Sequence, residues 1–219
     1  MSVNTRAALQ DGAHFELISG IEILDMSQRM HEIGLSLGAT MVEHGLIGFG
    51  DPRPVRIHSE VVYHEDMVPF FMLGCVERAT EGGTTILYDA VKAAEIIKEE
   101  HPDIAEVSMT FRAEHYEGVS TTVPLLREKN GQQFLGFRQK KKQLNDVIGL
   151  PKDVDEDTFY DYIDSVLDRC IEFEQTLSPG EVVVVDNYQT LHVRTAYTGV
   201  RKMNRVRVDD PEDHREYLV

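Results

Sequence analysis

Residues 181–208 read EVVVVDNYQTLHVRTAYTGVRKMNRVRV, and they say more about the fold than any other part of the chain. A run of valines is flanked by Glu181 and Asp186, a polar turn follows, and two further strand-like segments come after the turn. Short apolar or alternating segments that are separated by turns predict β-strands. Because no helical segment intervenes, the stretch predicts consecutive strands of a sandwich or barrel.

The preceding part of the chain also consists mainly of strand-like segments separated by turns. The segments PVRIHSE, PFFMLGCV, TTILYD, VSMTFRAEHY and QQFLGFR read as strands, with a turn at Asn130 and Gly131. Apolar spacing predicts helices over about Ser27–Glu43, from the N-cap Asp89 to Glu100, and over 155–177. Strands are too many, and too rarely separated by helices, for a doubly wound α/β fold. The sequence predicts a mainly β fold with covering helices.

Length and composition limit the class of protein. The 219 residues suit a single domain, in which residues 1–45 form an N-terminal helical cover and residues 209–219 a peripheral tail. A formal charge of −16 argues against nucleic acid or an anionic membrane as a partner. Cys75 and Cys170 lie in apolar surroundings and predict buried thiols in a reducing compartment. We expect a cytoplasmic protein, and a homo-oligomer remains open.

Two overlapping patterns in RIHSEVVYHED, residues 56–66, raise the question of a metal site. His58 and Glu60 form an H-x-E pattern, and His64 and Asp66 form an H-x-D pattern. Residues two apart on a strand point to the same face, so either pair can offer an imidazole and a carboxylate to one ion. The residues alone leave both pairs as candidates.

His192 is the best candidate for a third ligand. It follows the buried valine strand and a polar turn. Two histidines and one carboxylate on strands form the facial triad that binds non-haem Fe(II) and leaves coordination sites open. The histidines in predicted helices or at their ends are expected to be surface or packing residues without carboxylate partners; they are His14, His31, His44 and His101.

Taken together, IHSEVVYH, GGTTILYDA and VVVVDNYQTLHVRTAYTGVRKMNR resemble the taurine dioxygenase and clavaminate synthase-like family of Fe(II)- and 2-oxoglutarate-dependent oxygenases. The resemblance covers residues 45–208 in ordered motifs. It implies a double-stranded β-helix, or jelly-roll, core. It also favours His58 over His64 in the H-x-D/E motif, because 27 residues separate His58 from Thr85 and only 21 separate His64 from it.

The resemblance implies roles for individual residues. His58, Glu60 and His192 are the implied Fe(II) ligands, while Thr85 and Arg201 are implied to bind 2-oxoglutarate with Arg205 as a supporting cation. Weaker candidates for the substrate pocket are Tyr63, His64, Tyr116 and Arg138. Arg138 would favour a carboxylate or another anion if its strand faces the pocket. The alternative is that the RQKKK segment is a solvated basic turn.

The implied reaction uses Fe(II), 2-oxoglutarate and O2 to oxidise an unactivated C–H bond of a small molecule, with release of succinate and CO2. The expected substrate is an amino-acid-like or specialised-metabolite intermediate, and hydroxylation is the default outcome. Desaturation, epoxidation or cyclisation are alternatives. Two other classes are a zinc hydrolase, since two histidines and a glutamate also suit zinc, and a non-catalytic jelly-roll binding protein. Both leave Thr85 or Arg201 unexplained.

Overall fold

Two antiparallel sheets form the centre of the molecule. The computed structural model describes Thr5, Leu9 and residues 12–38, 42–47, 52–63, 67–112, 120–139 and 145–208. With strands numbered in chain order, the first sheet runs β1 (Phe15–Ile18), β13 (Val182–Asp186), β4 (Phe70–Glu77), β16 (Lys202–Val208) and β2 (Val42–Ile47). The second sheet runs β12 (Ile171–Gln175), β6 (Thr85–Asp89), β14 (Thr190–Arg194) and β3 (Val55–His58).

Shorter strands and the helices surround these sheets. A three-stranded sheet contains β11 (Asn145–Ile148), β7 (Ser108–Arg112) and β8 (Ser120–Pro124). Two strand pairs are β9 (Leu126–Lys129) with β10 (Gln132–Leu135), and β5 (Glu81–Gly82) with β15 (Tyr197–Thr198). Within the continuous described segments, the helices are α1 (Met26–Ser36), α2 (Ala90–Glu100), α3 (Pro102–Ala105) and α4 (Glu156–Asp168), and a 3-10 turn covers Ile23–Asp25.

Apolar side chains from both sheets meet between them. Alternate residues of β4, β13, β6 and β16 point into this layer, because successive side chains on a strand face opposite sides. The buried members are Phe71, Leu73, Cys75, Leu87, Val183, Val185 and Met203. Two facing sheets with an apolar interior and helices outside confirm the predicted mainly β, jelly-roll fold.

Helices cover the outer face of each sheet. Helix α1 packs against the first sheet, where Gly74 leaves room for it: a Cβ there would lie 2.7 Å from the Met26 sulfur and 2.8 Å from the Met30 sulfur. Helix α4 buries Phe159 and Ile163 in the cluster on the outer face of the second sheet. Across the described residues, none of the helices combines the length and the apolar character that crossing a membrane needs.

Two of the three helix predictions were wrong at their ends. The helix expected to reach Glu43 ends at Ser36, and β2 begins at Val42. The helix expected over 155–177 ends at Asp168, and the residues that follow form β12 instead. The third prediction is confirmed, because the Asp89 side chain accepts hydrogen bonds from the backbone N–H groups at the start of α2.

Candidate metal and co-substrate site

Three side chains from separate elements meet between the two sheets. His58 ends β3, Glu60 lies two residues further on in the following turn, and His192 is in the middle of β14. His58 and His192 are directly paired across β3 and β14, and their ring centroids are 4.2 Å apart. One ligand atom from each of the three residues lies within 4.8 Å of the others. This donor set fits a divalent metal and leaves part of its coordination sphere open.

The two imidazoles are prepared for a metal in different ways. The Nδ1 of His58 donates to the backbone oxygen of Arg56 at 2.8 Å, which fixes the tautomer and leaves the Nε2 lone pair available. His192 is 7% exposed, and its Nδ1 is buried without a hydrogen-bond partner among the residues that the structure describes. The ring of Phe71 covers His192 at 4.4 Å between centroids. A buried, unpaired ring nitrogen is unusual and agrees with a ligand at this place.

The carboxylate of Glu60 is shared by two arginines. Glu60 is 4% exposed, and its Oε1 accepts from Arg205 Nη1 at 3.3 Å while its Oε2 accepts from Arg207 Nη2 at 3.0 Å. Both arginines lie on β16, two residues apart, and therefore face the same side of the sheet. Each oxygen of Glu60 has its own cation, so the carboxylate is fixed and ionised.

Burial and charge set the protonation of the triad. Burial lowers the pKa of His58, and it lowers the pKa of His192 well below the usual value, with further contributions from neighbouring charges. Burial alone would raise the pKa of Glu60, but the charges of His58 when protonated and of Arg207 and Arg205 outweigh it and lower the pKa to about 2. At neutral pH the triad therefore holds two uncharged imidazoles and one carboxylate, which is the form that binds metal.

These pKa values predict how metal affinity depends on pH. Because the folded histidines take up protons only at a lower pH than ordinary histidines do, protons compete weakly with the metal. Between pH 7.5 and 6.0 we expect the apparent affinity for Fe(II) to fall by at most about threefold, against roughly tenfold for two histidines of ordinary pKa. Anaerobic titration of metal-free protein at several pH values measures this. A tenfold loss would show that the histidines titrate normally.

The backbone of Glu60 is held by Asn187, a residue that the sequence analysis did not single out. Asn187 is 1% exposed; its Oδ1 accepts from the Glu60 N–H at 2.8 Å, and its Nδ2 donates to the oxygens of Glu60 at 2.9 Å and Val68 at 2.8 Å. The next residue, Val61, is buried with a φ of 57°, a conformation that β-branched residues rarely adopt. Such strain persists only where the surroundings impose it, and Asn187 is part of that constraint.

Replacing Asn187 with alanine should therefore be costly. Asn187→Ala leaves three buried backbone groups without partners, and we expect the free energy of unfolding to fall by about 3 kcal/mol. Asn204→Ala is the matched control, because Asn204 is similarly buried but donates a single hydrogen bond, to Ser27 Oγ at 3.0 Å. That variant should lose about 1 kcal/mol. Chemical denaturation compares the two, and equal losses would contradict this role for Asn187.

Thr85, predicted to bind the co-substrate, is a buried polar residue of the same sheet as His192. Thr85 and Leu87 share a face of β6, and Leu87 is paired with His192, so Thr85 points into the same interior. Thr85 is 1% exposed, and its Oγ1 is buried with no hydrogen-bond partner among the described residues. An unsatisfied buried hydroxyl in an ordered strand agrees with a missing polar ligand.

Arg201 is a nearly buried cation that lies beside Gly83, in the turn before β6. It is 6% exposed and makes no hydrogen bond or ion pair within the described part of the chain, where its guanidinium lies 6.0 Å from the Tyr197 ring centroid. Gly83, with a φ of 72°, leaves room for the Arg201 side chain, because a Cβ on Gly83 would lie 3.2 Å from both Cδ and Nε of Arg201. Burial lowers the pKa of Arg201, and Arg194 contributes. A buried guanidinium without a counter-ion predicts an anionic ligand.

The remaining predicted site residues are placed as follows. Arg205 was expected to support the co-substrate; its Nη1 lies 3.3 Å from Glu60 Oε1, and the supporting role stays a prediction. Arg138 is paired with His58 through an isolated bridge, and Tyr63 is 38% exposed in the turn after Glu60. His64 and Tyr116, both proposed for the pocket wall, lie outside the described residues.

A second group of potential ligands contains His14, which was expected to lack carboxylate partners. That expectation was wrong, since His14 Nδ1 lies 2.8 Å from Glu172 Oε2 and 3.9 Å from Asp89 Oδ1. The hydrogen bond to Glu172 raises the pKa of His14. Asp89 Oδ1 also caps α2 through Val91 and Lys92. These bonds account for the group as an ion pair and a helix cap that join the edges of the two sheets.

A family profile decides the identity. The profile described as "Taurine catabolism dioxygenase TauD, TfdA family" matches residues 28–207, which include all three triad residues, Thr85 and Arg201. The chain belongs to this family. The resemblance drawn from the motifs is thereby confirmed for most of the chain.

Curated relatives in the TauD/TfdA family are similar over part of their length. Trimethyllysine dioxygenase from Meyerozyma guilliermondii is 27% identical over 163 residues, which is 68% of this chain and 40% of the relative. Clavaminate synthase 2 from Streptomyces clavuligerus is 22% identical over 197 residues, which is 85% of this chain and 57% of the relative. The chain thus spans about half the length of these two TauD/TfdA proteins.

A solved structure supports the TauD/TfdA fold independently. PvcB from Pseudomonas aeruginosa, described as an Fe, α-ketoglutarate-dependent oxygenase, superposes with a TM-score of 0.71 at 16% identity. The match covers 94% of this chain and 79% of PvcB. At this identity the likeness shows the fold. The cofactors in the description of PvcB agree with a His-Glu-His triad that is able to bind iron.

Proposed function

We propose that the protein is an Fe(II)- and 2-oxoglutarate-dependent dioxygenase that hydroxylates an unactivated C–H bond of a small molecule. The observation that carries the proposal is an open triad together with two buried polar side chains, Thr85 and Arg201, that have no hydrogen-bond or ion-pair partner among the described residues. The triad suits a metal, and the two side chains suit the far carboxylate of a dicarboxylic co-substrate. Family membership supports the same activity.

His58, Glu60 and His192 would hold the metal. Fe(II), together with 2-oxoglutarate and O2, supplies the oxidising power for the C–H bond, with succinate and CO2 as co-products. The contribution of the chain is geometric: the His58 Nδ1–H bond to the Arg56 oxygen keeps Nε2 free, and Arg205 and Arg207 hold Glu60 ionised. Three protein ligands leave room for the co-substrate.

Thr85 and Arg201 would orient 2-oxoglutarate. Arg201 offers a fixed guanidinium that can make a charge-assisted, bidentate contact with a carboxylate, and the Thr85 hydroxyl can donate a further bond. Both side chains are almost fully buried, so these interactions form away from competing water. Phe71, which is 0% exposed, covers His192 and keeps that side of the site dry.

A zinc hydrolase would use the same three ligands but has no need of a buried cation beside them. Arg201 and the unpaired Thr85 hydroxyl therefore favour the oxygenase. For the substrate, the name of trimethyllysine dioxygenase supports an amino-acid-like molecule.

Anaerobic addition of Fe(II) and 2-oxoglutarate to metal-free protein tests the proposal. A weak visible charge-transfer band that needs both components would show that iron and the co-substrate bind together. Absence of the band, with zinc bound instead, would contradict the dioxygenase. Succinate release under O2, first without and then with candidate small molecules, would then establish turnover.

A further inference from the structure

We infer that Arg138 binds an anionic group of the small-molecule substrate, a carboxylate or another oxyanion, at the side of His58 that faces away from His192. This inference rests on the proposed function and names the chemical class that the site selects. It differs from the proposed role of Arg201, which lies beside Gly83.

The position of Arg138 follows from strand pairing. The Ser59 N–H donates to the Phe137 oxygen at 3.0 Å, and the Gln139 N–H donates to the Ile57 oxygen at 2.9 Å. These bonds flank His58 and Arg138, which makes the two a non-hydrogen-bonded antiparallel pair with Cα atoms about 4.5 Å apart and side chains on one face. His192 is the partner of His58 on the opposite strand. The three residues therefore form a row across the sheet, and Arg138 faces the triad.

Arg138 is not a freely solvated residue. It is partly buried, and its pairing with His58 places its side chain on the face of the sheet that carries both triad histidines. This placement favours a role in the site over the alternative in which Arg138 belongs to a solvated basic turn; the lysines that follow it, residues 140–142, lie outside the described residues.

The segment that carries Arg138 is held in place. Asn145, which is 2% exposed, donates from Nδ2 to the Arg138 oxygen at 3.0 Å and to the Tyr160 hydroxyl at 3.1 Å. Gln139 donates to Asp164 Oδ2 at 2.9 Å. An arginine on a fixed backbone loses less freedom when it binds a ligand, so it is suited to position one.

Unlike Arg205 and Arg207, Arg138 has no anionic partner among the residues that the structure describes. Arg205 and Arg207 share Glu60, which the metal also requires. The Arg138 side chain makes no hydrogen bond or ion pair with any residue in the described ranges. With Glu60 engaged, a partly buried cation beside the metal is left for a substrate anion.

Binding to the protein, loaded with Fe(II) and 2-oxoglutarate without O2, tests the inference. The probes are hexanoate, L-arginine and N6-trimethyl-L-lysine, each compared with its carboxamide, and hexyl phosphate compared with hexanol. We expect at least one anion to bind roughly ten- to hundredfold more tightly than its neutral partner. Arg138→Gln should remove this preference and Arg138→Lys should keep part of it. Lys98→Gln, on the exposed face of α2, is the charge-matched control and should keep all of it.

The outcomes separate the inference from the function it rests on. If the chelate band forms in the wild type but no anion is preferred, or if the preference survives in Arg138→Gln, the inference is overturned and the dioxygenase stands. Weaker binding of 2-oxoglutarate in Arg138→Gln, in place of a lost probe preference, would assign Arg138 to the co-substrate and also overturn it. If the wild type forms no band, both proposals fail.

Discussion

His192→Ala is expected to abolish both iron binding and turnover. The substitution leaves two protein ligands, His58 and Glu60, and it opens a cavity under the ring of Phe71. A divalent metal held by two ligands at an open site exchanges readily with solvent, so we expect the affinity for Fe(II) to fall by at least about a hundredfold. Anaerobic titration of Fe(II) and measurement of bound iron after gel filtration give this value directly.

The control for this variant is His31→Ala. His31 lies on the exposed face of α1, on the outer side of the first sheet, and its removal should leave iron content and turnover unchanged. Normal iron content in His192→Ala would remove His192 from the site. Loss of iron in both variants would point to a general effect on folding, which circular dichroism distinguishes.

Arg201→Ala is expected to raise the requirement for 2-oxoglutarate while iron binding persists. The variant removes the buried guanidinium, and of the two residues proposed to bind the co-substrate carboxylate it leaves Thr85. Loss of one partner of a buried charge pair costs about 2–4 kcal/mol, which corresponds to a roughly 30- to 1000-fold weaker affinity. Titration of 2-oxoglutarate against the visible band in the Fe(II)-loaded variant measures this separately from catalysis.

Arg78→Ala provides the comparison, because Arg78 is an exposed arginine that follows β4. It should bind 2-oxoglutarate like the wild type. An unchanged affinity in Arg201→Ala would transfer the role to another cation, and Arg205 would be examined first. That outcome would also require Arg205 to leave Glu60 when the co-substrate binds.

Local patterns predicted the strands well and the helix ends poorly. The valine run of β13 and the alternation in β16 are visible in the sequence, because both strands bury a defined face. Residues 171–175, IEFEQ, continue the acidic, helix-like composition of α4, yet they pair with β6 and place Phe173 against Phe15. Pairing with a strand distant in sequence overrides the local helix preference there, and a single sequence does not show it.

The metal ligands could be predicted from the sequence because their residue types indicate metal binding by themselves. An H-x-E pattern and a second histidine within a strand-like segment suggest a metal site from the sequence alone. The sequence could not show which arginine forms an ion pair with which carboxylate. Alternation places Arg205 and Arg207 on one face, but only the packing of β16 against the turn after β3 brings both to Glu60. Asn187 was missed for the same reason, since its three partners lie more than 100 residues away.

The pairing of Glu60 with two arginines bears on whether the chain folds before or after it binds a metal. A ligand carboxylate that has no cationic partner in the protein is an uncompensated buried charge until the metal binds. Proteins with such a site often fold only when the metal is present. Here Arg205 and Arg207 compensate Glu60 from within the protein, at 3.3 and 3.0 Å. We therefore expect the polypeptide to complete its fold without iron, and to keep that fold when the ion is removed and added again.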